Sequence, residues 1–176
     1  MTSGGSKPPF AWSQVNDNGF SKNDNEEVLS SAFYGGKLYI GSFSGLGCEV
    51  WRYEGNGWTQ VASGGFGDSY NSDALSMAVA DGYLYVGTND SNDPCRVWRY
   101  DGPGPGDWTA VSEDGFGVKT NHRVHQLEVY KGALYAGAWN AQMTGCEVWT
   151  TRAGNSNPLF GGRAPSAFRA GTGGDS

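Results

Sequence analysis

The segment Gly47–Val61, GCEVWRYEGNGWTQV, returns as PCRVWRYDGPGPGDWTAV at Pro94–Val111, and its opening GCEVW stands a third time at Gly145–Trp149. A chain that repeats itself at a fixed period builds one structural unit several times, and that restricts the fold more than composition does. Aligning Trp12, Trp58 and Trp108 brings Phe20, Phe66 and Phe116 into register, each preceded by glycine (Gly19, Gly65, Gly115). Asn25, Asn71 and Asn121 follow at one spacing, then Val28, Ala74 and Val124, then Gly36, Gly82 and Gly132. From each Trp to Gly41, Gly87 or Gly137 the three copies align without a gap.

Length varies in only two places: between the LY-x-G segment and the cysteine, and between the VWRY segment and the next Trp. Variation confined to turns is what loops on a fixed scaffold show. Each copy divides into four short strands, taking the first as an example: VLSSAFY, KLYIGS, CEVWRY and WTQV. The separators GG, DG, KG, EGNG and DGPGPG supply the positive φ that tight hairpins need. Glycine is abundant (29 residues) and aromatics reach 14%, a profile of Gly-bounded strands, and no helical apolar period runs for a useful length. The fold class is therefore all-β. The third strand is apolar on both sides, with Cys48 and Val50 facing one way and Trp51 the other. Such a strand suits a layer packed between two neighbours.

On these residues the units resemble the β-propeller repeats of bacterial and archaeal multi-blade proteins, of the LYVGT…EVWR…DG..W..V type. The turns YDGPGPGDW and YEGNGW also resemble the Asp-box of sialidase-like propellers, with Tyr53 or Tyr100 in place of its leading Ser and Glu54 in place of Asp in one copy. The resemblance covers residues 12–151. It implies a propeller of about three four-stranded blades: a closing strand and loop at 12–27, blades at 28–66 and 74–116, and a partial blade at 124–151. Asp-boxes are structural, and the arginine cluster of a sialidase has no counterpart here.

Propellers carry about 4 to 8 blades. The expected ring is therefore either incomplete in this chain or half of a six-bladed homodimer, in which each chain lends its Trp12 strand to the other. Residues 1–11 are expected to be flexible. Residues 152–176, rich in Gly, Ala, Ser and Pro and without the repeat, are expected to be disordered.

Net charge is −6 overall, with residues 1–151 carrying the acidic excess. An acidic surface without a basic stripe argues against nucleic acid as a partner, and no apolar run could insert in a membrane. The start MTSGGSKPPF lacks an apolar signal core, which leaves localisation open.

Cys48, Cys95 and Cys146 occupy one equivalent position per unit, too far apart for disulfides, and are expected to be buried thiols. His122 and His125 flank Arg123 in NHRVHQ, but strand alternation turns the two rings to opposite faces, so no metal site is expected from them. The candidate ligand face combines the loops before each first strand with the loops between second and third strands. It collects Asn25, Asn71, Asp73, Asn89, Asp90, Asn121, His122, Arg123, Trp139 and Asn140. Amides and carboxylates beside an aromatic ring suit sugar hydroxyls and apolar sugar faces. The alternative for the repeated Asn is a cap on its own loop. No cofactor is expected. Calcium is the alternative at Asn89–Asp93 (NDSND) and Asn16–Asn18 (NDN), which offer oxygen ligands without a complete calcium-loop pattern.

The sequence reads as a non-enzymatic binding or scaffolding module, with a carbohydrate or a protein loop as ligand. The competing reading is a fragment of a sialidase-like or other glycosidase propeller whose catalytic residues lie on other blades.

Overall fold

The computed structural model describes residues 11–142, 145–151 and 168–169. Strands β1 (Asn25–Tyr34), β2 (Lys37–Ser44), β3 (Val50–Tyr53) and β4 (Trp58–Ala62) form a first unit. The second contains β5 (Asp73–Ala80), β6 (Tyr83–Asn89), β7 (Val97–Tyr100) and β8 (Trp108–Ala110). The third contains β9 (Asn121–Tyr130), β10 (Ala133–Asn140), β11 (Glu147–Thr150) and β12 (Phe168–Arg169). Within each unit, strands adjacent in sequence pair antiparallel. Among the described residues there is no α-helix. The hairpins between first and second strands turn through Gly35-Gly36, Asp81-Gly82 and Lys131-Gly132, all at positive φ, as two-residue turns matched to strand twist require.

Units meet along their first two strands. A single backbone pair joins Phe43 of β2 to Asp73 of β5, and another joins Asn89 of β6 to Arg123 of β9. The approach is too close for a side chain on the second strand. A Cβ on Gly41 would lie 2.6 Å from the Ala74 methyl, and one on Gly87 would lie 2.5 Å from Val124 Cγ1. Ser30 and Ser76, beside those glycines, donate to the carbonyls of Ala74 and Val124 in the next unit, at 2.6 and 2.8 Å.

The apolar core lies between units. One cluster holds Tyr39, Cys48, Val50, Val61, Leu84 and Tyr100; the other holds Tyr85, Cys95, Val97, Phe116, Leu134 and Trp149. Fully burying such a side chain contributes about 1.5–3 kcal/mol, so each unit depends on its neighbours. Where no described unit lies alongside, equivalent positions open to solvent. Val28 is 60% exposed while Ala74 and Val124 are buried, and Val148 is 52% exposed while Val50 and Val97 are buried.

Three expectations need correction. Trp12–Val15 forms no strand, because among the described residues it has no third strand beside it; Trp12 is 93% exposed. Cys146 is exposed, unlike Cys48 and Cys95, since among the described residues no following unit covers it. Phe168 and Arg169, expected in a disordered tail, pair with Thr150 and Trp149 in the place of a fourth strand. The remaining residues of that tail, and the expected flexible segment up to residue 10, lie outside the described residues.

Candidate functional site

The repeated Gly-Phe dipeptide lies in a short 3-10 turn before each unit, with both residues in the left-handed region: Gly19-Phe20, Gly65-Phe66 and Gly115-Phe116. Glycine suits the first position on space as well as on φ. A Cβ on Gly65 would sit 2.8 Å from the carbonyl oxygen of Asn71. A phenylalanine at positive φ is strained, and the surroundings hold it there. The amides of Asn25, Asn71 and Asn121 donate to the carbonyls of Gly19, Gly65 and Gly115 at 3.1, 3.0 and 3.1 Å. Each Phe ring stacks on the third-strand Trp of the unit that follows: Phe20 on Trp51, Phe66 on Trp98 and Phe116 on Trp149. Trp149 is thus covered by Phe116, and not by the Trp12 segment.

The three asparagines are therefore buried turn caps. Their Oδ1 atoms accept from Ser42, Thr88 and Asn140 respectively. The backbone carbonyls of Asn71 and Asn121 also accept from the N–H groups of Cys48 and Cys95 in the preceding unit, both at 2.8 Å. Asn71 and Asn121 thus also hold units together, and all three asparagines spend their amides inside the fold. Asn140 belongs to the same framework, buried against Thr120 and Asn121.

Four of the other residues do meet on one rim. Backbone pairing runs without interruption from Glu27 to Phe43, Asp73, Asn89, Arg123 and Trp139. Glu27, Asp73 and Arg123 are equivalent first-strand positions, and Phe43, Asn89 and Trp139 are equivalent second-strand positions. Along this row Asn89 donates to Asp73 Oδ2 at 2.6 Å and accepts from Arg123 Nε at 3.2 Å. The Arg123 guanidinium lies 4.9 Å from the Trp139 ring centroid, and Trp139 is 38% exposed. Glu27 and Phe43 escaped the sequence reading. They hold the same places in the repeat as Asp73 and Asn89, but alternation alone does not say which strand end faces solvent.

His122 and Asp90 stand behind the row. His122 is half-buried with Nδ1 3.1 Å from the Asp90 carbonyl, and the Asp90 side chain is buried. An open cleft of 760 Å³ lies beside them, lined by Asn92, Asp93, Glu113, Lys119 and His122 among others. At its edge Arg96 holds the Asp114 carboxyl below the usual carboxylate range through a two-point contact at 2.6 and 3.2 Å.

No protein-family model matches the chain. No curated protein matches it. Among solved structures it is similar to an α-L-arabinofuranosidase from Clostridium thermocellum, with 14% identity and a TM-score of 0.49 over 82% of this chain and 51% of that one. The chain thus spans about half the length of that enzyme. A likeness of this size carries no conclusion about activity.

Proposed function

We propose that the three units are consecutive blades of a β-propeller, and that the protein is a non-enzymatic binding module taking carbohydrate on the rim row. The supporting observation is the Arg123–Trp139 pair, held in place by Asn89 and Asp73. An indole offers the apolar surface that packs against the C–H face of a sugar ring. A guanidinium and a carboxylate offer the paired donors and acceptors that neighbouring hydroxyls require. Fixing the arginine beforehand lowers the ordering cost of binding. Each hydrogen bond nets about 0.5–1.5 kcal/mol, so a single row binds weakly. Joining several rows on one multivalent glycan can raise avidity by a factor of roughly 10²–10⁴.

The test is a glycan panel titrated against the protein while tryptophan fluorescence is followed. Trp139→Ala and Arg123→Gln are each expected to abolish the response. The reading falls if no glycan binds, or if binding ignores both changes. Hydrolysis of aryl glycosides by the unmodified protein would install the glycosidase reading instead.

The end faces favour a scaffolding role alongside. Val28 and Leu38 expose on one end the surface that Ala74 and Leu84 bury in the interior, and Val148 exposes on the other what Val97 buries. Each open face is the complement of the other, since the same two faces meet at both internal junctions. We propose that a second copy of the chain docks head to tail on these faces.

A further inference from the structure

The loop between β6 and β7 differs chemically from its two equivalents. Ser44, Asp90 and Asn140 occupy the same place at the end of the second strand, and each accepts a backbone N–H two residues on, from Leu46, Asn92 and Gln142. Ser44 and Asn140 also donate to the residue just before the capping Asn, namely Asp24 and Thr120. A carboxylate has no proton to give, and the matching residue in the second unit is Tyr70. Asp90 Oδ1 accepts from Asn92 and Asp93, at 2.9 and 2.7 Å. Its Oδ2 is buried, with no hydrogen-bond partner, in a side chain only 1% exposed.

What surrounds that carboxylate is more negative charge. Oxygens of Asp68, Asp90 and Asp93 all lie within 4.8 Å of one another. A guanidinium that feels both Asp68 and Asp90, that of Arg96, spends its Nε and Nη2 on Asp114. A buried acceptor without a donor is costly, and two carboxylates beside it raise the cost. A divalent cation reverses both terms. We propose that Asp68, Asp90 and Asp93 form a calcium site.

Calcium–oxygen bonds of about 2.3–2.6 Å set oxygens across one ion no more than roughly 5 Å apart, and the three carboxylates meet that limit. Magnesium, bound at about 2.0–2.1 Å, usually keeps several waters and takes one or two carboxylates, so three carboxylates together suit calcium better. The ion would tie the β6–β7 loop to the loop between β4 and β5, which already touch where Ser91 N–H donates to the Tyr70 carbonyl at 3.1 Å. Waters and backbone carbonyls would complete the shell. This site shares no side chain with the rim row, so the loss of glycan binding and the loss of calcium binding are read by different variants.

The test is thermal unfolding of the full chain in calcium and in chelator, with terbium luminescence as a direct probe of the site. At calcium about 100-fold above Kd, the midpoint is expected to rise by roughly 5–10 °C. Asp90→Asn is expected to lose the calcium shift and the terbium signal. In chelator it should melt no lower than the unmodified protein, since Asn restores the donor found at Asn140. Asp93→Asn, on an exposed residue, should likewise lose both signals with the fold intact. Equal midpoints in calcium and chelator for the unmodified protein would overturn the proposal, as would a calcium shift that survives in Asp93→Asn and Asp90→Asn.

Discussion

Phe66 and Trp98 lie face to face, with ring centroids 4.9 Å apart and planes 10° from parallel, although Phe66 sits at a φ of +61°. The strain is local and the stacking is between units, so the contact makes one unit's conformation depend on the next. Removing the ring keeps the strained backbone and discards what holds it. Phe66→Ala is expected to cost about 3 kcal/mol, the low end for a large aromatic because Phe66 is only partly buried, and Phe116→Ala, at a buried ring, at least as much. Thermal midpoints should fall by roughly 6–12 °C. A fall of less than a degree in both would remove the stack from the account of stability.

One position sets the second unit apart from the other two. Glu49 accepts from the Trp51 indole at 3.0 Å and the Asn25 amide at 2.6 Å, and Glu147 does the same for Trp149 and Asn121 at 3.0 and 2.8 Å. The second unit has Arg96 there, and the Trp98 indole N–H is buried without a partner. Alanine at these equivalent positions should therefore act unequally. Glu49→Ala strands buried donors and is expected to cost about 2–3 kcal/mol. Arg96→Ala removes a contact to the largely exposed Asp114 and a longer-range attraction to Asp68 and Asp90, and should cost less than about 1 kcal/mol. Urea midpoints of the two variants settle the comparison; equal losses would contradict it.

The cysteines should report the open end of the arc chemically. Burial pushes the Cys95 thiol up to about 12 and raises Cys48 as well, so near neutral pH neither presents thiolate. Cys146 is exposed. Native protein is expected to react with one equivalent of a thiol reagent and denatured protein with three. Cys146→Ser should leave the native protein unreactive. Rapid labelling of two or three thiols without denaturant would mean that the inter-unit cores open readily.

Charge placed on an end face should block head-to-tail assembly. Val148→Glu lies on the third strand of the last unit, where Val50 and Val97 are covered. Sedimentation velocity is expected to show a multimer for the unmodified protein and a monomer for Val148→Glu and for Leu38→Glu. If the unmodified chain sediments as a monomer at every concentration, its end faces do not serve a second copy.

The period of the repeat, its Gly and Asp-Gly turns and its alternating apolar residues determined the antiparallel strands of each unit by themselves, except the fourth strand of the third unit. These are local properties: a two-residue turn with positive φ admits few geometries, and residues two apart in a strand share a face. The role of the repeated Asn was open between turn cap and ligand contact, because an amide in a polar loop suits both. Tertiary structure decided it, by folding the Gly-Phe turn back over the Asn side chain and seating the next unit's Trp on the Phe. The rim row from Glu27 to Trp139 likewise exists only across units, joined by one backbone pair at each junction. Cys146 differs from Cys48 and Cys95 for the same reason. Identical sequence neighbourhoods become buried or exposed according to whether another unit covers them, and coverage is a property of the arc.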